Sequence, residues 1–178
     1  MTTARNPYEL GPAAKAVFLQ WWHTVSSETA GGGSRADRAN LKRAGDLTAV
    51  ACTPAYQRVY RDMVAANGGL PWPPLQQERI AALIGLAAHV KSRVPMSLPQ
   101  AMSHHLEGAD RNPVSDLRFS RLLNSPDIEA LFIGLRRCLP LIDYQVDTAT
   151  LADDVFEWGD AVKKRWAYAY KWPAKDGG

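Results

Sequence analysis

The sequence predicts an all-α protein made of two packed helical bundles with no sheet. Nearly every segment repeats its apolar residues at helical spacing, and no segment alternates as a half-buried strand does. Capping residues, glycines and prolines separate these segments, as they do at helix boundaries. The chain of 178 residues is 46% hydrophobic and 22% charged, which is typical of an ordinary globular protein and not of a disordered one.

The first half of the chain contains five predicted helices. Apolar residues at i, i+3, i+4 and i+7 mark the first of them, including Val17, Phe18 and Trp21. Glycine and proline punctuation then sets the limits. The five segments run from Gly11 and Pro12 to the flexible Gly31–Gly33 loop, from about 35 to 47 behind a Ser34 N-cap, from Thr53 and Pro54 to 68, from the proline connector at 70–74 to about 93, and from Ser97 to 106.

The second half contains three predicted helices. Ser115 caps a short helix, and Ser125 caps the next one, with Pro126 at its first position and a kink or an end at Pro140. A last long helix runs from about 148 to 170. The "GADRNP" segment at 108–113 is the clearest break, so we expect an N-terminal bundle over 1–109 and a C-terminal bundle over 110–178.

Composition places the protein in the cytoplasm and away from membranes. Cys52 and Cys138 are the only two cysteines and have no paired spacing, which favours two buried thiols in a reducing compartment. No apolar run approaches the roughly 20 residues that cross a bilayer. The net charge is only +3, which excludes a uniform basic coat but allows local basic patches.

The histidines do not form a metal-binding motif. His104 and His105 would point about 100° apart on a helix, and no HExxH spacing occurs. His23 and His89 lie on or near apolar helix faces and are interpreted as satisfied packing residues. We therefore predict no metal ion.

No catalytic set emerges from the remaining residues. Asp153 and Asp154 fall in the first turns of a predicted helix, where acidic residues complement the helix dipole. The Gly31–Gly33 run lacks the lysine, the following serine or threonine and the preceding strand that a phosphate-binding P-loop requires. The sequence predicts neither an enzyme nor a cofactor.

Cationic side chains form the pattern that helix stability alone does not require. Arg35, Arg38, Lys42 and Arg43 fall on one side of their predicted helix, and a basic first turn opposes the helix dipole. Planar guanidinium groups suit phosphate oxygens, whereas a solvated charged face is the simpler reading of any one cluster. Further cations recur on later helices at Arg118, Arg121, Arg136, Arg137, Lys163 and Lys164.

Five segments, in this order, carry a resemblance to a known family. They are "FLQWWHTV" at 18–25, "RADRANLKRAG" at 35–45, "SDLRFSRLL" at 115–123, "LRRCLPLID" at 135–143 and "WGDAVKKRWAYAY" at 158–170. Together they closely resemble the CasB family, the small subunits of the type I-E CRISPR surveillance complex called Cascade. The resemblance spans roughly residues 10 to 172.

The resemblance implies a non-catalytic subunit with two bundles and several partners. These are the large subunit, the backbone subunits, a second copy arranged head to tail, the crRNA, the target DNA and the displaced non-target strand. It also implies which residues contact nucleic acid, namely Arg38, Lys42, Arg43, Arg118, Arg121, Arg136 and Arg137. Arg35 ranks lower because it lies in a part that varies among relatives, and Lys163 and Lys164 rank lower because cations near a helix C-terminus are stabilising anyway.

Two other functions remain open at this stage. A stand-alone helical DNA-binding regulator would need a recognition helix that reads base edges, normally in a dimer. A metal-dependent nuclease is disfavoured by the missing ligand set.

Two further expectations concern the tryptophans and a charge-reversal variant. Trp21, Trp158 and Trp166 are predicted to pack in the core, whereas Trp22 and Trp72 are open cases. We expect charge reversal at Arg38, Lys42 and Arg43 to weaken DNA binding while leaving folding intact.

Overall fold

A computed structural model of the protein describes residues 6–175. Within this part of the chain the fold is helical, and pairing between extended segments is limited to one isolated bridge between Ser92 and Gln145. The all-α prediction is confirmed. The helices are α1 (Pro12–Ser26), α2 (Gly32–Arg43), α3 (Leu47–Ala51), α4 (Pro54–Ala66), α5 (Pro74–Ala87), α6 (Leu98–Met102), α7 (Asp116–Leu123), α8 (Ile128–Cys138), a short 3-10 helix (Leu139–Ile142), α9 (Thr148–Phe156) and α10 (Asp160–Ala169).

Helix α5 lies at the centre of the core. Its residues from Ile80 to Ala87 are all buried, because this half of the helix is apolar on every side. It packs against α3, α8 and α9, and Gly85 permits the close approach: a Cβ there would lie 2.9 Å from Cε2 of Phe132 and 3.0 Å from Cγ2 of Val50. Buried residues from both halves of the chain join one hydrophobic cluster. The division into bundles at residue 109 stays a prediction.

Several predicted caps are present, and two are wrong, namely Ser34, which lies inside α2, and Ser125. The side chain of Thr53 accepts the backbone N–H of Tyr56 at 3.1 Å, and that of Ser115 accepts the N–H of Arg118 at 3.3 Å. Helix α8, however, is capped by Asp127, whose carboxylate accepts the N–H of Ala130 at 2.8 Å. Ser125 lies before this cap and is buried. The carboxylate is favoured at this position because it also complements the helix dipole.

The predicted helix at 35–47 has the wrong limits. Helix α2 begins at Gly32, so two of the three glycines are helical, and it ends at Arg43. A new helix, α3, starts at Leu47 because Asp46 accepts the N–H of Ala49 at 2.7 Å and Glu129 accepts the N–H of Leu47 at 3.2 Å. These carboxylates satisfy donors that a continuous helix would have used internally.

The predicted helix at 148–170 is two helices, α9 and α10, separated at residues 157–159. Arg79 of α5 donates to the backbone carbonyls of Phe156 at 2.8 Å and Trp158 at 2.9 Å, which satisfies acceptors at the break. Helices α5 and α6 also end earlier than predicted, at Ala87 and Met102.

Asp154 joins α9 to α10 and is predicted to be important for stability. It is buried and accepts hydrogen bonds from Nε1 of Trp166 at 2.8 Å and from the guanidinium of Arg165 at 2.5 Å. In Asp154→Ala the buried indole N–H loses its acceptor, which costs about 2–3 kcal/mol. We expect urea denaturation to show this loss for Asp154→Ala and less than about 1 kcal/mol for Asp160→Ala, which at an exposed first-turn position of α10 loses only an interaction with the helix dipole. Equal stability of Asp154→Ala and wild type would contradict this role.

Candidate nucleic-acid interface

An open cleft of about 610 Å³ lies between α7 and α8 and contains three of the predicted site residues. Arg118 and Arg121 reach it from α7, and Arg137 reaches it from α8. All three side chains are exposed. The structure thus brings together, on one cleft, cations that are well separated in the sequence.

The amphipathic pattern of each helix explains how the arginines reach the cleft. On α7 the buried residues are Phe119 and Leu122, so residues 118 and 121 face outward. The two helices also approach closely, because a Cβ on Gly134 of α8 would lie only 2.7 Å from Cδ2 of Leu122. Arg118 and Arg121 follow helical i, i+3 spacing and therefore lie on the same side of α7.

A second group of cations, which includes Arg136 and Lys42, lies where the C-terminal ends of α2 and α8 meet. The guanidinium of Arg136 donates to the backbone carbonyl of Lys42 at 3.1 Å and lies 5.5 Å from the ring centroid of Phe132. Arg136 and Arg137 are consecutive on α8, so their side chains leave the helix about 100° apart. Arg136 contacts α2, and Arg137 lines the cleft beside α7. Helix α8 therefore connects the two groups.

Arg38 has a structural role in addition to its predicted place among the exposed cations. Its Nε donates to the carbonyl of Ala88 at 2.8 Å, and one of its terminal nitrogens donates to the carbonyl of Val90 at 2.7 Å. These carbonyls follow the end of α5, where intrahelical partners run out. Burial lowers the pKa of Arg38 from its ordinary value. The side chain points partly inward, although helical periodicity places it with the exposed cations of α2.

His89 lies among the cations of the second group. Burial, together with the smaller effects of the charges of Arg136, Lys42 and Arg38, lowers its pKa to about 4. Its Nε2 is buried and has no hydrogen-bond partner within residues 6–175, so the expectation of a satisfied packing histidine is wrong on this point. The imidazole is therefore neutral at pH 7 and adds no charge to the group.

The depressed pKa of His89 predicts a specific pH dependence of stability. Between pH 6.5 and about 4 the unfolded chain binds a proton at His89 that the folded chain does not. Protonation of His89 therefore does not reduce the free energy of unfolding above pH 6.5, and it reduces that free energy progressively as the pH drops through this window. We expect urea denaturation at pH 7, 6, 5 and 4.5 to show that the free energy of unfolding decreases less with falling pH in His89→Leu than in wild type. Parallel losses in both proteins would contradict this assignment.

The remaining predicted cations are arranged differently. Arg43 is exposed and bonds to Asn40 within its own helix, and Arg35 is exposed in the first turn of α2. Lys163 lies over the ring of Trp158, with its Nζ 5.8 Å from the centroid, and Lys164 is exposed on α10. No hydrogen bond or ion pair recorded for residues 6–175 links the two lysines to the cleft.

None of the ion pairs recorded in the described part of the chain uses a predicted site residue. The pairs are Lys15 with Asp153, Arg58 with Asp37, Arg93 with Asp147 and Arg165 with Asp154. Asp127, at the start of α8, acts as the cap of that helix instead. The guanidinium groups of the cleft thus retain their capacity for phosphate oxygens.

The tryptophans mostly belong to the core. Trp22, Trp72, Trp158 and Trp166 are buried, and Trp21 is half-buried against the core. This confirms core packing for Trp158 and Trp166 and assigns the two open cases to the core as well.

Two other expectations about single residues are wrong. Cys52 is exposed, so only Cys138 is a buried thiol. His23 is exposed near the end of α1 and is not a packing residue.

Some residues of the cleft are not predictable from their sequence signal. Asn124 and Ser125 line it at the turn between α7 and α8, where their sequence signal indicates only helix boundaries. Within residues 6–175, no group of three or more histidine, cysteine or acidic side chains is arranged to hold a metal ion. In the same part of the chain no helix combines the length and apolar character required to span a bilayer.

These features define an all-helical protein with a cationic cleft between two short helices. The family model described as CRISPR-associated protein Cse2 matches residues 37–170, and it includes both helices of the cleft. The chain belongs to the CRISPR-associated protein Cse2 family.

Two solved structures share the fold. A chain in the crystal structure of E. coli Cascade bound to a PAM-containing dsDNA target is 18% identical, with a TM-score of 0.60 over 87% of this chain and 91% of that one. The crystal structure of CasB from Thermus thermophilus is 23% identical, with a TM-score of 0.61 over 88% of this chain and 96% of that one. A comparison with curated proteins gives no match.

Proposed function

We propose that the protein is the non-catalytic small subunit of a type I-E Cascade complex in antiviral defence. In this role it binds nucleic-acid backbone without sequence preference and stabilises the heteroduplex of crRNA and target together with the displaced strand. Membership of the Cse2 family supports the subunit assignment. One observation supports the binding role. Arg118, Arg121 and Arg137 converge on one cleft, and none of them belongs to an ion pair within residues 6–175.

The proposed mechanism depends on a nearly balanced exchange of base pairs. The heteroduplex is about as stable as the DNA duplex that it replaces, so a modest binding energy on the unwound side shifts the balance. Contacts to phosphate carry no direct sequence information. A subunit that binds through guanidinium groups therefore stabilises any target that the guide selects.

The proposed binding surface follows α2, α8 and α7. Arg137, Arg118 and Arg121 form its cleft, and Arg136 and Lys42 continue it toward Arg43. Two donors of Arg38 already bond to backbone carbonyls, so this residue would contact phosphate only through its remaining N–H groups. Arg35, Lys163 and Lys164 are secondary candidates.

The proposed protein partners are the large subunit, the backbone subunits and a second copy of the chain. We propose that the two copies lie head to tail. In such a pair the two contacting surfaces differ, so neither needs to be self-complementary. Bundles over 1–109 and 110–178 would supply the two ends of this contact.

Reconstitution of the complex tests the proposed function. We expect the chain to co-purify with the large subunit and crRNA, and we expect Arg118→Gln/Arg137→Gln to assemble normally but shorten R-loop lifetime by about tenfold, since charge-assisted hydrogen bonds to phosphate are lost. Arg61→Gln/Lys175→Gln, at exposed cations outside the cleft, is the control with the same change in net charge. Failure to co-purify would contradict the subunit assignment, and an unchanged lifetime would contradict the binding role.

A further inference from the structure

The α7–α8 cleft has two different kinds of lining. Its cations are Arg118, Arg121 and Arg137, whereas its walls include the apolar side chains of Leu122, Ala130 and Ile133. Phosphate binding alone requires only an exposed cationic surface. An open cleft of about 610 Å³ with partly apolar walls has instead the size of a small-molecule site.

We propose that this cleft binds one unstacked nucleobase of a single strand, while its arginines bind the adjacent phosphates. This inference rests on the proposed function and adds to it the form of nucleic acid that the cleft selects. A base has an apolar face and a polar edge, and it is attached to an anionic backbone. The cleft offers apolar side chains, the amide of Asn124 and three guanidinium groups, which match these three parts.

The electrostatics of the cleft suit this ligand. Cys138 also lines the cleft and is a potential source of negative charge beside the arginines. Burial raises the pKa of its thiol to about 11, although the charge of Arg118 opposes this shift. The thiol is therefore neutral at pH 7. The Asn124 amide nitrogen donates to the carbonyl of Ser120 at 2.9 Å, which fixes the orientation of this side chain at the end of α7.

A preference for single strands follows from the geometry. In a duplex each base is stacked and paired, so placing one in the cleft would require it to leave the helix. In a single strand that cost is small. The cleft therefore distinguishes a loose strand from a duplex through the base, whereas the arginines alone respond to phosphates in both.

Binding of abasic oligonucleotides tests the inference. A single-stranded DNA with several abasic sites has the same number of phosphates as the intact strand of equal length. We expect the intact strand to bind about tenfold more tightly, because only it places an apolar base surface in the cleft. Equal affinities would overturn the base-binding inference and leave the proposed function standing. Failure of both strands to bind would overturn the proposed function as well.

A variant that fills the cleft tests whether the preference for the intact strand arises there. Ala130 lies on the cleft wall and is half-buried, so Ala130→Leu reduces the space for a base without changing any charge. We expect this variant to bind intact and abasic strands equally, with wild-type affinity for the abasic strand, which also shows that the protein remains folded. The matched control is Ala167→Leu, at a half-buried alanine of α10 outside the cleft, which should keep the tenfold preference. A full preference in Ala130→Leu would overturn the assignment of the base to this cleft.

Discussion

Replacement of Arg118, Arg121 and Arg137 by glutamine is expected to lower the affinity for single-stranded DNA by about 100-fold. Each arginine forms charge-assisted hydrogen bonds with phosphate that are worth about 1.5–3 kcal/mol when well formed. Solvent exposure of the three side chains reduces that value to roughly 1 kcal/mol each. The combined loss of about 3 kcal/mol corresponds to about 100-fold in the dissociation constant.

A matched control separates the cleft from net charge. Each of the two triple variants removes three positive charges and leaves the long polar side chains in place. The control replaces exposed cations outside the cleft, namely Arg61, Arg111 and Lys175. We expect this control to lose no more than about threefold in affinity, since distant exposed charges are largely screened at physiological salt. Equal losses in the two triple variants would show that binding follows net charge and not the cleft.

Arg38→Met is expected to lower the free energy of unfolding by about 3 kcal/mol. The variant removes two hydrogen bonds to the carbonyls of Ala88 and Val90, and each such bond from a charged donor contributes about 1.5–3 kcal/mol. Lys42→Met and Arg43→Met are exposed positions on the same helix and should change stability by less than about 0.5 kcal/mol. Urea denaturation of the three variants gives these values directly.

This prediction changes the interpretation of charge reversal in α2. A triple reversal at Arg38, Lys42 and Arg43 would combine a folding defect with any loss of DNA binding, contrary to the expectation from the sequence. Lys42 and Arg43 should be varied without Arg38 when binding is the question. A stable Arg38→Met protein would instead show that the two carbonyl contacts contribute little.

The sequence predicted the helical fold and the outward direction of the cleft arginines because both depend on local patterns. Buried Phe119 and Leu122 fix the face of α7, and the apolar stripe of α8 does the same for Arg137. Which of the predicted cations meet on one cleft was not predictable, since it depends on how closely α7 packs on α8 at Gly134. A single sequence carries no direct signal for that distance.

Three of the errors in helix limits share a physical cause, because a side chain from elsewhere in the chain satisfies the backbone groups at the missed break. Glu129 accepts the N–H at the start of α3, and Arg79 donates to carbonyls at the end of α9. Arg38 likewise bonds to carbonyls beyond α5. Helical periodicity identifies which side of a helix is polar, but it does not reveal which backbone groups a polar side chain will meet.

A salt titration of single-stranded DNA binding tests the central proposal most directly. Wild type and the Arg118→Gln/Arg121→Gln/Arg137→Gln variant would be compared between about 50 and 200 mM salt, a range over which counterion release changes affinity strongly. Each lost phosphate contact lowers the slope of log K against log salt by about 0.7, so the variant should show a slope smaller by about 2. Superimposable slopes for the two proteins would contradict backbone binding by this cleft.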